Sequence, residues 1–243
     1  MNNLAKTLKR TLLPLGVAVA GTFIAAAPAH AFLIDGFGDD QASIQADGPS
    51  GNNPVTVTSS SEPITDTDFD NALRTLMVER TGGGGNVDMR VDEDKLFYSQ
   101  GSGTFGRGMV DWTDFAPVAF SGNAHVLVSV LEADLAAGGL EITLGSSSAG
   151  LEESIVAALP QVTFGDDPET VSLSLAGFSP ALLASVDYAQ LEIDGRSVSS
   201  LDVTIDYVEI PAPGVLGLLG LGLAGLAFTV RRRRSGEEGV VSG

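Results

Sequence analysis

Residues 210–230 contain no charged residue, and a run of four arginines, Arg231, Arg232, Arg233 and Arg234, follows directly. A helix of these 21 residues, at about 1.5 Å per residue, is long enough to cross the roughly 30 Å hydrocarbon layer of a membrane. An arginine cluster beside such a helix is typical of the cytoplasmic side. A buried core helix is the alternative, and it would require the arginines to border a protein interior. We therefore predict a membrane segment within residues 210–234 and a short cytoplasmic tail over residues 235–243.

The first 31 residues form a second specialised segment. Three basic residues precede an uncharged apolar run over residues 12–27, and Ala29 and Ala31 form a small-x-small cleavage site. This three-part pattern is typical of a secretory signal peptide, whereas an uncleaved membrane helix would need a longer apolar run. We predict that residues 1–31 are removed and that the mature chain begins at Phe32.

The remaining ectodomain, residues 32–209, is strongly acidic. It holds 29 of the 31 acidic residues but only six of the 13 basic ones, so its formal charge is −23. Such a surface repels nucleic acid and anionic lipid, and it is suited to a soluble extracellular face, divalent cations or a hydrated polysaccharide. The chain has no cysteine, which excludes disulfides, thiolate metal sites and cysteine nucleophiles.

Apolar residues in the ectodomain recur mostly with a period of two, in short segments separated by turn residues. These segments lie at residues 55–58, 76–78, 87–91, 96–98, 124–131, 140–144, 171–175, 186–193 and 201–210. About ten short strands without a long amphipathic helix predict an all-β fold, an antiparallel and jelly-roll-like β-sandwich.

Five other segments are predicted to be turns, loops or short helices. Four glycines at residues 82–85 predict a hairpin turn, and the Ser-, Gly- and Asn-rich residues 43–61 and 145–150 predict loops. Residues 151–159 and 182–184 predict helical turns or a short helix.

The C-terminal motif carries a family resemblance. Pro211, Ala212, Pro213 and Gly214 precede the Gly- and Leu-rich apolar stretch and the arginine cluster, and together residues 211–234 resemble a PEP-CTERM sorting domain, with alanine in place of the motif's glutamate. The resemblance implies an exported protein of a Gram-negative-type bacterium. It also implies that an exosortase, an integral membrane transpeptidase, removes the tail and passes the protein from the inner membrane to the periplasm, cell surface or matrix. A plain membrane anchor without processing is the open alternative.

A second resemblance concerns the two ends of the ectodomain. Residues 34–37 and 204–210 resemble the first and last strands of galactose-binding-like jelly rolls, which are common in carbohydrate-binding modules. The resemblance implies that the terminal strands lie side by side. It assigns no binding residue.

The ectodomain is poorly supplied for catalysis, and we predict no catalytic residue. His125 is its only histidine, and no G-x-S-x-G elbow accompanies it. Gly101, Gly103 and Gly106 match G-x-G-x-x-G, but no apolar-faced helix follows, so we interpret them as a loop between strands.

Calcium is the one cofactor that the composition favours, because hard oxygen ligands from several loops can complete a site at the edge of a sandwich. The candidate ligands are the clustered carboxylates Asp35, Asp39, Asp40, Asp92 and Asp94. Solvated loops are the alternative interpretation.

These observations predict a non-enzymatic surface or matrix protein with three partners, namely an exosortase-like transpeptidase, the inner membrane and an extracellular polysaccharide, and without nucleic acid. A carbohydrate-acting hydrolase and a purely structural or adhesive surface protein are the alternatives. Exposed clustering of Trp112, Tyr98 and Phe97 would favour glycan binding, whereas two carboxylates facing each other across a cleft would favour hydrolysis.

Overall fold

A computed structural model describes residues 31–47 and 54–211 of the chain. These residues form fourteen strands, one 3₁₀ turn at Leu175–Gly177 and one short helix, α1, at Pro180–Leu183. The strands are β1 (Phe32–Asp35), β2 (Gln41–Ala46), β3 (Val55–Thr58), β4 (Glu62–Pro63), β5 (Leu73–Gly82), β6 (Val87–Asp92), β7 (Lys95–Gln100), β8 (Phe105–Thr113), β9 (His125–Ala133), β10 (Gly139–Ser146), β11 (Leu151–Ala158), β12 (Glu169–Ser174), β13 (Tyr188–Gly195) and β14 (Asp202–Ile210).

The strands form two seven-stranded antiparallel sheets, which confirms the predicted all-β sandwich. Sheet I has the order β12-β9-β14-β7-β6-β2, with β1 also paired to β14. Sheet II has the order β11-β10-β13-β8-β5-β3, with β4 also paired to β5. No helix in the described part of the chain is long and apolar enough to cross a membrane, and the predicted membrane segment lies outside that part except for its first two residues.

The alternation of side chains explains why these segments pair as strands. In β5 every second residue from Arg74 to Arg80 is buried, and the intervening ones face outward, as a strand with one buried face requires. Among the described residues, the hydrophobic core lies between the two sheets and extends from Ile34 to Ile210. Because the described strands of both sheets share this one core, we expect residues 32–211 to fold as one unit.

The first and last strands lie side by side, as the jelly-roll resemblance implies, with Phe32 opposite Ile210. We call the end of the sandwich where β1 begins and β14 ends the terminal pole, and the opposite end the distal pole. β9 runs antiparallel to β14 and places Ala133 opposite Val203, so the loops after β9 and before β14 belong to the distal pole. β14 therefore ends beside Phe32, the predicted first residue of the mature chain, and the predicted anchor begins at this pole. Ile210 itself is a core residue at the end of β14.

All nine predicted strands are confirmed, but four further segments were misread. The glycines at residues 82–85 do not close a hairpin, because β5 belongs to sheet II and β6 to sheet I. Residues 151–159 are not helical, because β11 pairs along its whole length with β10. β2 lies partly within the predicted loop over residues 43–61. The glycine-rich β8 is a central strand, and its Gly108 is required by packing, since a Cβ there would lie 2.2 Å from the Cε atom of Met89.

Candidate functional site

The three aromatic residues singled out from the sequence do not form an exposed cluster. Trp112 and Tyr98 are 0% and 1% exposed, and only Phe97 reaches the surface. The cause is strand parity, because Tyr98 and Phe97 are neighbours on β7 and must face opposite sides of sheet I.

The five calcium candidates are not brought together as one site. Asp35 is buried and paired with Arg74, and Asp39 accepts hydrogen bonds from the backbone and side chain of Thr65. Asp40 is exposed in the β1–β2 loop, whereas Asp92 and Asp94 flank the turn between β6 and β7. Residues 31–47 and 54–211 contain no group of three or more His, Asp or Glu side chains suited to a metal ion. Calcium binding stays a prediction from sequence.

The glycines of the G-x-G-x-x-G match and the histidine His125 have structural roles. Gly101 and Gly103 lie in the turn between β7 and β8, where Gly103 has a φ of +71°, and Gly106 lies within β8. His125 is the exposed first residue of β9, and its Nδ1 atom lies 3.0 Å from the Ser172 hydroxyl on β12. Of the predicted sorting and cleavage residues, Ala31, Phe32 and Pro211 are described, and Ala29, Ala212, Pro213, Gly214 and the arginine cluster fall outside the described residues.

The outer face of sheet I carries an open groove of about 600 Å³ at the distal pole, which we call the distal groove. Its floor follows one row across the sheet, in which Arg90, Phe97, Thr204 and Glu132 stand opposite one another on β6, β7, β14 and β9. Ser99, Asp134 and Asp202 belong to the next part of the lining, and Gln161, Val162, Thr163 and Phe164 complete it from the β11–β12 loop.

Two phenylalanines give the distal groove an apolar character. The guanidinium carbon of Arg90 lies 4.5 Å from the ring centroid of Phe97, a cation–π contact of about 0.5–1 kcal/mol at an exposed position. Phe164 is 86% exposed, more than any other large apolar side chain among the described residues.

The loop that carries Phe164 is held on sheet I by backbone hydrogen bonds. Val162 and Ala133 exchange two N–H···O bonds of 2.9 Å, and Gln161 donates to the Asp134 carbonyl at 3.1 Å. Gly165 follows with a φ of +89°, a conformation that favours glycine, and turns the chain away after Phe164. The exposure of Phe164 is therefore imposed by an ordered turn.

Hydrogen-bond acceptors line the rest of the distal groove. The Asp202 carboxylate accepts from the Ser99 hydroxyl at 2.6 Å, and the Asp134 carboxylate accepts from the Asp202 backbone at 2.9 Å. Beside them, burial raises the pKa of Asp88; Arg90 opposes the rise, and Asp202 adds to it. A ligand here meets two aromatic rings, hydroxyl groups and carboxylates, with one arginine that is already stacked.

No protein-family model and no curated protein matches the chain. Among solved structures, the family 11 carbohydrate-binding module of the cellulosomal cellulase Lic26A-Cel5E of Clostridium thermocellum aligns over 76% of this chain and 96% of its own, with 11% identity and a TM-score of 0.39. The xylan-binding module CBM15 aligns over 67% and 98%, with 14% identity and a TM-score of 0.37. CBM29_1 from Piromyces equi aligns over 66% and 93%, with 12% identity and a TM-score of 0.34. Similarity at this level transfers neither a ligand nor a binding residue to this chain.

Most residues of the distal groove were missed from the sequence. Phe97 was singled out, but Phe164, Glu132, Asp134 and Thr204 were not. One signal was available for Phe164, because a lone aromatic residue in a turn segment that continues Gly165-Asp166-Asp167 has no strand partner to bury it.

Proposed function

We propose that this protein is an exported surface or matrix protein whose jelly-roll-like sandwich binds polysaccharide through the distal groove, without catalysis. One observation carries the proposal, namely the exposed Phe164 ring held by an ordered loop beside Phe97 and a row of polar groups. A pyranose ring has an apolar C–H face and a rim of hydroxyls, and the distal groove offers aromatic surface and hydrogen-bonding partners in the same hollow.

The position of the groove supports a surface role. The chain leaves the sandwich at Ile210, at the terminal pole, and the distal groove lies at the other pole. An anchor over residues 210–234 would leave the groove facing away from the membrane, where an extracellular polymer is accessible. The formal charge of −23 over residues 32–209 favours a polymer that is not itself strongly acidic.

The direct test is retention of residues 32–211 on the extracellular polysaccharide of the producing cell. We expect saturable binding of the wild type and about tenfold weaker binding of Phe164→Ala, a change equivalent to about 1.4 kcal/mol. Val156→Ala is the matched control, because Val156 is also an exposed apolar residue, at 64%, but lies on the edge strand β11. Failure of the wild type to bind, or equal affinity of Phe164→Ala, would overturn the proposal and favour a purely structural or adhesive domain.

The same incubation distinguishes binding from hydrolysis. We expect no release of reducing ends while the protein is bound, because binding through aromatic stacking leaves the polymer intact. Reducing ends that accumulate with wild-type protein, and that disappear with Asp134→Asn or Asp202→Asn, would assign a hydrolase instead.

A further inference from the structure

The outer face of sheet II includes side chains that their neighbours cover almost completely. Met109, Glu192 and Thr143 are 5%, 6% and 8% exposed, yet each alternates with a core residue and so points away from the core. Met109 is accordingly not part of the core cluster. We call the outer face of β10, β13 and β8 that carries these side chains, together with the hollow at its terminal-pole end, the sheet II trough.

At the terminal pole the trough opens into a hollow of about 540 Å³. The hollow is lined by Thr113, Ser146, Ser147, Glu152, Asp187 and Tyr188, among others. Ser147 donates its backbone N–H to the Asp187 carboxylate at 2.9 Å, which fixes the turn between β10 and β11 at the rim.

A polar triad connects this hollow to the floor of the trough. The Tyr188 hydroxyl donates to the Asp111 carboxylate at 3.2 Å, and the Gln190 amide donates to the same carboxylate at 2.6 Å and to the Tyr188 oxygen at 2.9 Å. Burial and the neighbouring Asp111 raise the pKa of Tyr188, so its phenol stays protonated. The three groups are thus held in place before any ligand arrives, and such preorganisation lowers the entropic cost of binding.

At the distal-pole end of the trough, two arginines form ion pairs with carboxylates. Arg107 lies between Glu79 and Glu192, at 2.6 and 2.9 Å. Arg196 pairs with Glu192 at 3.0 Å and with Asp194 at 2.9 Å. Because carboxylates outnumber these two arginines, the trough repels acidic polymers and presents polar groups that suit the hydroxyls of an uncharged one.

We infer that the sheet II trough is a second binding site for a non-acidic, hydroxyl-rich glycan strand, so that one domain bridges two polysaccharide chains. The inference rests on the proposed function of the distal groove, because bridging needs both sites. The two sites lie on the outer faces of opposite sheets, so one strand bound in each does not obstruct the other. The protein would then cross-link a matrix as well as adhere to it.

A capture assay tests the bridge. Residues 32–211 are loaded on beads coated with the polysaccharide of the producing cell, washed, and exposed to soluble, fluorescently labelled fragments of the same polymer. We expect wild-type protein to capture the fragments, with no loss in about 0.5 M salt, since a neutral ligand makes no ion pairs that salt would screen.

Substitutions in the trough test whether it is the site that captures the fragments. Tyr188→Phe with Asp111→Asn removes one hydroxyl group and one carboxylate charge while keeping side-chain size, and we expect bead retention near that of wild type with at least tenfold less fragment capture. Glu152→Arg places a larger side chain at an exposed position of the hollow and should lower capture in the same way. Phe164→Ala combined with the trough changes should abolish retention. Thermal unfolding of each variant confirms that its fold is intact.

The outcomes separate the two proposals. Wild-type protein that is retained on the beads but captures no fragments would overturn the second site and leave the distal groove intact. Trough variants that capture as many fragments as the wild type would also overturn the second site. So would a combined variant that is retained on the beads as well as Phe164→Ala alone. Absence of bead retention for the wild type would overturn the proposed function itself.

Discussion

The Asp35 carboxylate and the Arg74 guanidinium lie 3.0 Å apart inside the sandwich, and each side chain is 1% exposed. Asp35 also accepts hydrogen bonds from the Trp112 indole at 2.8 Å and from the Phe37 backbone at 2.7 Å, and Arg74 donates to Gln41 at 3.0 Å. The pair therefore links β1, the first strand after the predicted cleavage site, which is paired to sheet I, with sheet II across the core.

Removal of one member of this pair leaves a buried charge without a partner. We expect Asp35→Leu to lower the free energy of unfolding by about 3–5 kcal/mol. The double change Asp35→Leu with Arg74→Met should recover part of that loss, because it removes the unpaired charge but leaves the Trp112 indole and the Phe37 N–H without their acceptor. Urea unfolding followed by far-UV circular dichroism measures both, with Arg90→Met as the control for loss of an exposed arginine. A loss below about 1 kcal/mol for the single variant would show that the pair is not needed.

The raised pKa of Asp88 predicts a pH dependence of stability. Burial is the main cause of the rise, and Asp202 and Asp47 add to it. The folded protein therefore holds this proton more tightly than the unfolded chain does, so stability falls as the pH rises from the ordinary value of 3.8 through the raised one. We expect Asp88→Asn to be more stable than wild type at neutral pH and to lose that advantage in acid.

Urea unfolding between about pH 3 and about pH 7 measures this difference. Asp167→Asn, which removes a carboxylate from an exposed loop, controls for the general relief of negative charge. Equal pH profiles for the two variants would contradict a specific role of Asp88.

Gly106, the last glycine of the G-x-G-x-x-G match, should be sensitive to substitution for reasons of packing. A Cβ atom there would lie 2.4 Å from the Glu79 carbonyl oxygen and 2.6 Å from the Val87 Cγ2 atom. We expect Gly106→Ala to destabilise the domain by about 1–3 kcal/mol in urea unfolding. Gly177→Ala is the control, since a Cβ at Gly177 meets nothing within 4 Å. An unchanged unfolding midpoint for Gly106→Ala would contradict the close approach of β5 and β8.

The sorting hypothesis predicts the C-terminal end of the mature protein. If an exosortase-like enzyme processes the tail, mass spectrometry of the surface pool should detect peptides up to the end of β14 and none from residues 231–243. A fraction retained in the inner membrane should still contain the tail. A tail peptide that reaches Gly243 in the surface pool would instead assign a plain membrane anchor.

Most strands could be predicted from the sequence because the alternation of buried and exposed residues along a strand is a local pattern. The alternation in β13 predicts which residues face the core. In β14 it does so only as far as Ile205, because irregular pairing with β9 between Ile205 and Tyr207 shifts the pattern, and Val208 then faces the core in place of Tyr207.

β8 and β11 were harder for opposite reasons. Gly108 of β8 is constrained by Met89 and Tyr98, which approach from the other sheet, and Gly106 by the Glu79 carbonyl and Val87. The glutamates and alanines of β11 are good helix formers, but edge pairing with β10 overrides that preference.

The candidate site depended far more on the tertiary structure. Phe97 is a strand residue and Phe164 a loop residue, and they line one hollow only because Val162 pairs with Ala133 at the end of β9. Tyr188 and Asp111 meet in the same way, through the pairing of β13 with β8.

Contiguous residues were enough to predict the acidic surface and the nine strands, because charge and hydrophobic period are local properties. The signal and anchor segments are predictions of the same kind, made from apolar length and flanking charge. Three-dimensional packing fixes which aromatic residues are exposed, which carboxylates are already paired and which surface groups share a hollow. Those outcomes depend on register and sheet order, and register and sheet order are set by the packing of the whole chain.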